Sequence, residues 1–425
     1  MQHKRIVITG MGVVSPNGIG LGVFEEALRE GKSGIRKMEK MEKLGFSCQV
    51  GAEPEISEEL LNQYFTPLQQ KRLSADGLIY GLISAIDAWK DAKLPYGNNE
   101  DPDWDSGCIM GQGLAGADVI RESTYQIDEG KVKRLGSTTV PQTMSSGISA
   151  HLGGMLGLGN QVSTNASACA TGTEALIMGM ERIRMGKAKR MLCGACDSTS
   201  VHVWGGFDAM RVITRRHNDS PLEASRPMSA SASGFVPGGG GAALVLEELS
   251  SALRRNAPIY AEVLGGYTNS GGQRNKGSMT APNPEGVLRC IHGAIGDAEI
   301  LSKDIDLISG HLTSTMFDPR EVELWVEALK IKRDNFPKIQ ALKSMTGHCL
   351  SASGAIEAVA AVLQIHKNFV HKSLNCEDLH PEVEAVIPKT SIPSKTENTH
   401  VDTVASSSFG FGDVNSCIIF KRFQG

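Results

Sequence analysis

Aromatic side chains are scarce, at 5% of the chain, so the interior must be filled by aliphatic and small residues. An excess of one charge is also missing. With 43 Lys and Arg against 47 Asp and Glu, the formal net charge is only −4, which excludes nucleic-acid binding by bulk electrostatics. No apolar run approaches the roughly 18 residues of a membrane helix. Met1 to Gly18 holds no uninterrupted apolar segment of signal-peptide length, so we expect neither a membrane nor a nucleic acid as partner. The nine cysteines, at 48, 108, 169, 193, 196, 290, 349, 376 and 417, are odd in number and follow no framework spacing. They are expected to be reduced thiols in a cytoplasmic protein. The histidines show no metal-ligand spacing, and no metal is expected.

What is present points to a layered α/β protein. The 425 residues are 40% hydrophobic and carry 48 glycines, enough for about two or three domain-sized units with backbones running close together. Short β-branched or apolar runs read as buried strands: Arg5 to Thr9, Gly107 to Met110, Met191 to Cys193, Ala242 to Leu246, Tyr260 to Leu264, Leu307 to Ser309 and Cys417 to Phe420. Between them, Gly172 to Met185 and Ala355 to His366 read as helices that are apolar nearly all round. Each should therefore be sandwiched between layers. Their starts are alike, Ala168-Cys169-Ala170-Thr171-Gly172 in one and Ser351-Ala352-Ser353-Gly354-Ala355 in the other, which suggests an internal duplication. A charged helix is expected over Glu247 to Arg255. The division falls after it, giving halves 1–255 and 256–425 that share a core.

The stretch Thr164-Asn165-Ala166-Ser167-Ala168-Cys169-Ala170-Thr171-Gly172-Thr173 places a thiol among small residues at the start of a buried helix. There the positive end of the helix dipole would favour the thiolate, making Cys169 a candidate nucleophile. The plainer alternative is a small core residue, which free cysteine often is. His311 ends an apolar strand, and His348 closes Lys343-Ser344-Met345-Thr346-Gly347 just before the second buried helix. Strand ends and helix starts are where α/β proteins place sites. A single histidine there is ordinarily a satisfied loop or core side chain. Two of them, matched with a thiol in the other half, suggest a site.

Several ordered motifs carry a family resemblance. They are Arg5-Ile6-Val7-Ile8-Thr9-Gly10-Met11-Gly12-Val13-Val14-Ser15-Pro16-Asn17-Gly18, Gly205-Gly206-Phe207-Asp208-Ala209-Met210-Arg211, Ala224-Ser225-Arg226-Pro227, Gly234-Phe235-Val236 and Phe409-Gly410-Phe411-Gly412, together with the Cys169, His311 and His348 segments. Over nearly its whole length the chain resembles the elongating β-ketoacyl-acyl-carrier-protein synthases and their polyketide or polyene ketosynthase relatives. The resemblance implies a thiolase-type fold, two related α/β halves in a five-layer αβαβα sandwich. It implies decarboxylative condensation of an acyl group on Cys169 with malonyl-acyl-carrier protein. His311 and His348 match the two histidines of the Cys-His-His site, and Lys343 and Glu357 a supporting pair. Cys169 and Phe411 would supply the N–H groups of an oxyanion hole, Phe411 also being a gating ring. Thr313 and Thr315 match contacts to the phosphopantetheine arm; Leu114 and Phe409 match acyl-site positions. Lys71, Arg72, Lys133, Arg134 and Arg211 fall where the family places positive charge for an acidic carrier, although any one of them also reads as an ordinary solvated charge. No cofactor is implied, because the substrates bring their own phosphopantetheine. A homodimer, or a heterodimer with a related subunit, is implied as well. A non-catalytic partner subunit is the alternative, opposed by the presence of Cys169; a thiolase is opposed by the lack of a second catalytic cysteine.

Other signals carry less. Cys193-Gly194-Ala195-Cys196 has redox spacing but sits in an apolar strand, and Gly10-Met11-Gly12 lacks the third glycine of a dinucleotide loop. Gly238 to Gly241 lacks the lysine of a phosphate loop and reads as close packing. Against the family pattern, Leu312 replaces a glycine, which implies bulk beside the pantetheine channel. Met228 to Ser233 and Gly239 imply that a local ion-pair network has been removed. Ser407 replaces an asparagine, and Asp413-Val414 follows the gating Phe411. Ser137, Thr138 and Thr139 imply a wider or more polar tunnel end near a dimer seam.

Overall fold

A computed structural model of the chain describes residues 4–96 and 100–425. Its central sheet contains β1 (Ile6–Ser15), β2 (Ser106–Gln112), β3 (Val162–Ser163), β4 (Arg190–Asp197), β5 (Gly240–Glu248), β6 (Ala261–Ser270), β7 (Leu307–Ser309), β8 (Lys338–Gln340), β9 (Thr403–Gly410) and β10 (Val414–Lys421). The strand order is β8-β7-β9-β10-β6-β1-β5-β4-β2-β3, with Gly18–Ile19 folded back on β1. All seven runs read as strands fall on these elements, with only Arg5 and Tyr260 lying one residue before the strands they open. They extend further than their β-branched cores, because glycines and serines inside the sheet continue the ladders.

The join between the two sides of the sheet is narrow. β1 and β6 pair only through Ile6 with Val263, Val7 with Glu262 and Ile8 with Ala261. Beyond that, β1 stays with β5 and β6 stays with β10, so the half-sheets separate. Two helices, Thr171–Arg184 and Ser353–Lys367, fill the gap and touch strands of both half-sheets. Helix Asp76–Asp91 covers one outer face and helix Pro284–Asp297 the other, which completes five layers. The helices could not meet so closely with larger residues at their starts. A Cβ on Gly172 would lie 2.5 Å from the Ala355 nitrogen, and one on Gly354 would lie 2.3 Å from Thr173 Oγ1. Each of those two glycines is the second residue of its helix, and together they put both helix starts at one point.

Two expectations are corrected. The charged helix over Glu247 to Arg255 is only Leu249–Arg254, since Glu247 and Glu248 end β5. Glu247 is fully buried, and its carboxylate accepts from Arg255 Nε at 3.0 Å and Ser251 Oγ at 2.8 Å. Pairing lets a charged residue enter a core strand, so charge misled the helix reading. Strand β9 went unrecognised because Thr403-Val404-Ala405-Ser406-Ser407-Ser408 has little apolar periodicity. Pairing with strands on both sides makes it a strand, and Ser408 Oγ bonds to Thr173 Oγ1 at 2.8 Å.

Candidate active site

Cys169 stands in a tight turn just before its helix. Ala168 is left-handed, with φ of 48°, a conformation costly for a residue with a Cβ. Local bonds hold it: Thr171 Oγ1 donates to the Ala168 carbonyl at 2.6 Å and accepts from the Ser167 N–H at 2.8 Å. Glu174 accepts from Ser167 Oγ at 2.6 Å and Asn165 Nδ2 at 2.9 Å, tying the turn to the first helical residues.

His311 follows β7. The loop after it wraps two buried carboxylates at the start of helix Asp318–Leu329. Glu321 accepts the N–H groups of His311 at 2.7 Å and Leu312 at 2.8 Å; Asp318 accepts those of Thr313 at 2.8 Å, Ser314 at 2.9 Å and Met228 at 2.9 Å. Burial pushes Glu321 up to about 8 and Asp318 up to about 6. Sequence reasoning missed both. The available signal was a pair of acids three residues apart, opening a helix directly after the histidine loop.

His348 follows the one-turn helix Lys343–Thr346. Its Nδ1 accepts the Leu350 N–H at 3.1 Å and lies 2.9 Å from Ser353 Oγ. An Nδ1 that accepts a backbone N–H leaves the ring proton on Nε2, so His348 is an Nε2–H donor.

These elements bring one ligand atom each of Cys169, His311 and His348 within 4.8 Å of one another. The same trio has the chemistry of a metal-binding set, but the His348 tautomer presents a proton where a metal needs a lone pair. Behind them Lys343 and Glu357 form a buried ion pair. Burial, then the Lys343 charge, holds both imidazoles well below their usual range, so both are neutral. Burial pushes Glu357 up to about 7 against the pull of Lys343.

The expected thiolate is overturned. Burial pushes the Cys169 thiol up to about 11, despite attraction from Lys343 and a bond from the Phe411 N–H. Its sulfur has the N–H groups of Phe411 and of Cys169 itself within hydrogen-bond reach.

A cavity of about 720 Å³ opens onto the sulfur. Its lining includes Cys169, His311, His348, Thr313, Thr315, Leu114, Phe409, Phe411 and Arg211, all named from the sequence. Lys343 and Glu357 stand behind the wall. Asp197, whose carboxylate accepts Ser351 Oγ at 2.7 Å, and Arg215 and Arg216 also line the cavity and were not foreseen. The expected basic mouth is divided. Lys71, Arg72 and Arg134 line a separate cavity of about 600 Å³ with Ser137, Thr138 and Thr139, and neither cavity is lined by Lys133.

The family departures resolve differently from expectation. Leu312 adds no bulk to the cavity: it is fully buried in the core cluster of Ile308 and Val322, on a backbone with φ of 24°. The Met228 to Ser233 segment keeps a charged network, in which Asp378 accepts from Arg226 at 3.1 Å, from the Ser231 N–H at 3.1 Å and from Ser229 Oγ. A side chain at Gly239 would lie 2.6 Å from Thr199 Cγ2, so neighbouring chain fills the space an acid would need.

Comparison with known proteins agrees with this geometry. The model of the beta-ketoacyl synthase N-terminal domain matches residues 3–252, and that of the C-terminal domain matches residues 260–377. The chain belongs to the beta-ketoacyl synthase family. It is 33% identical to the chloroplastic 3-oxoacyl-[acyl-carrier-protein] synthase I of Arabidopsis thaliana, over 99% of this chain and 87% of that protein. A ketosynthase solved with its type II polyketide acyl-carrier protein and a hexaketide superposes with a TM-score of 0.86 at 28% identity, covering 99% of this chain and 100% of that one. The ishigamide ketosynthase/chain length factor gives 0.87 at 26% identity, with the same coverage. The synthase is thus an acyltransferase of thiolase-type fold. Among the described residues, no helix is long and apolar enough to cross a membrane.

Proposed function

We propose that this synthase condenses an acyl group held on Cys169 with a malonyl unit on acyl carrier protein, releasing CO2 and β-ketoacyl-carrier protein. The observation that carries the reading is one thiol beside two neutral imidazoles, one of them an Nε2–H donor. In the first half, the thiol proton passes to His311, whose Nδ1 has no hydrogen-bond partner. The sulfur attacks the acyl thioester, the Cys169 and Phe411 N–H groups hold the oxyanion, and the carrier thiol leaves with a proton. In the second half, the malonyl carboxylate leaves as CO2, and its electron pair becomes an enolate whose oxygen His348 and His311 hold by N–H donation. The enolate carbon then attacks the acyl-cysteine, forming the C–C bond and releasing the Cys169 thiolate, which takes up a proton from solvent to restore the thiol.

Burial, and then the charge of Lys343, keeps the rings neutral and therefore usable in both halves, while Glu357 pairs with that lysine. Thr313 and Thr315, whose hydroxyls are 3.0 Å apart, would bind the phosphopantetheine arm. No separate cofactor is needed, because the arm arrives with the substrate. Leu114 and Phe409 would bound the acyl group, with halves 1–255 and 256–425 each contributing part of the site. Arg211, joined by Arg215 and Arg216, would attract an acidic carrier; Lys71, Arg72, Lys133 and Arg134 would serve it only in an assembly that brings them to a mouth. Ile120, Tyr125, Ile127, Val132 and Val140 are exposed along one segment, which supports burial against a second subunit. A homodimer is the simpler assembly. A heterodimer with a related subunit is the second reading, favoured by the ketosynthase/chain length factor likeness, and native mass spectrometry of the chain alone separates them. All nine cysteines are unpaired, which suits a cytoplasmic setting.

Incubation with malonyl-carrier protein and acyl-carrier proteins of graded length tests the reaction. A β-ketoacyl product is expected for at least one chain length, and none at any length overturns the reading.

A further inference from the structure

Asp413 is a buried carboxylate that the condensation scheme leaves without a part. It follows Phe411 by two residues, between β9 and β10, on a left-handed backbone with φ of 63°. Its side chain is wholly enclosed. One carboxylate oxygen accepts the N–H of Asn283 at 2.7 Å, and the other accepts that of Gln273 at 2.8 Å. Its own carbonyl accepts the Gly271 N–H at 2.9 Å, and the neighbouring Gly412 N–H donates to the Met279 carbonyl at 2.8 Å. All four bonds join the Phe411 turn to one segment, 271–283.

That segment is shaped to the carboxylate. A Cβ on Gly271 would lie 2.4 Å from either carboxylate oxygen, and one on Gly277 would lie 2.5 Å from Oδ2. Only bare backbone fits so close. Within the segment Gln273, Asn275 and Lys276 are left-handed, strain that persists where the ends are held. One end is Asn283, the N-cap of helix Pro284–Asp297. Both partners of the carboxylate reach the active site: Thr280 and Pro282 line the cavity, and the Phe411 N–H faces the Cys169 sulfur.

We propose that Asp413 is a positioning residue whose carboxylate fastens segment 271–283 to the Phe411 turn, holding the pocket mouth and the Phe411 oxyanion donor as one unit. The inference rests on the reading of Phe411 as that donor. Asp413→Asn keeps the volume but turns an NH2 toward one of the two N–H groups, so one bond is lost and two donors face each other.

The test compares two reactions of Cys169 in the full chain. Acylation by hexanoyl-N-acetylcysteamine passes through an oxyanion and needs the Phe411 N–H to hold it; alkylation by iodoacetamide displaces iodide, forms no oxyanion and feels that N–H only through the sulfur's own hydrogen bond. In Asp413→Asn, acylation is expected to fall roughly 10- to 100-fold, while alkylation stays within a factor of about three of the unaltered chain. Unchanged acylation in the folded variant, or an equal fall in both rates, overturns the proposal. Should the variant fail to fold, hydrogen exchange on the unaltered chain decides: 271–283 and 409–415 must open together, and independent opening overturns it. Failure of the condensation reading would instead show as a chain that acylates Cys169 yet makes no β-ketoacyl product.

Discussion

Cys169 is a neutral thiol among neutral rings, and this decides which group does what. Desolvation outweighs the pull of Lys343, so the sulfur is activated only when a thioester carbonyl arrives and its proton passes to His311. The sulfur and the ring donors can then be separated by substitution. Cys169→Ala is expected to lose acyl transfer but to keep malonyl decarboxylation, because both imidazoles remain. His348→Ala should load Cys169 yet decarboxylate malonyl-carrier protein some 100-fold more slowly, the scale of one lost donor to a developing charge. Radiolabelled acyl transfer and CO2 release measure the two halves. Thiol chemistry has a matching order. Cys376 is also partly exposed, but burial pushes it up to about 12, and Cys169 opens directly onto the cavity. Limited iodoacetamide should therefore label Cys169 first, as peptide mapping will show.

At the scale of elements, the site depends on two helix starts meeting within van der Waals distance. Gly172 precedes the body of one helix and Gly354 that of the other, and each lies against the opposite backbone. Adding a branched side chain there forces the central helices apart, taking the Cys169 turn and the His348 loop with them. Gly354→Val should cost about 3 kcal/mol or more, at the upper end of overpacking penalties, and should lower condensation beyond what the lost folded fraction explains. Denaturant melts run beside the assay test this. The His311 loop is held differently, by carboxylates instead of packing. Its Leu312 carries left-handed backbone into the core, where Glu321 holds its N–H.

For the whole molecule, buried titratable groups set the pH dependence of stability. Glu321 and Glu357, raised by burial to about 8 and about 7, bind protons in the folded state that the unfolded chain has released, so stability falls as pH rises through that range. His311 and His348, depressed in the folded state, act in the opposite sense below their unfolded value near 6.5. Between about 4.5 and 6.5 the two effects oppose each other; above 6.5 only the acids remain. Urea midpoints are therefore expected to decline from pH 6.5 to 8. Glu321→Gln should flatten part of that decline, and a slope identical to that of the unaltered chain would contradict it.

Read along the chain, local chemistry already disclosed the layered class, both sandwiched helices with their twin starts, and the three side chains of the site. These depend on apolar periodicity and residue type, which neighbours in sequence express. Hidden from that reading were strand β9, the buried Glu247, the carboxylates Asp318 and Glu321, and the burial of Leu312 away from the cavity. Each is settled by contacts between distant segments: a serine run becomes a strand through its partners, and a charge enters the core through its guanidinium. The charge state of Cys169 belongs with them. Sequence position suggests a helix dipole acting on the thiol, but the low dielectric around it exists only once both halves have closed over the sulfur, and desolvation then prevails.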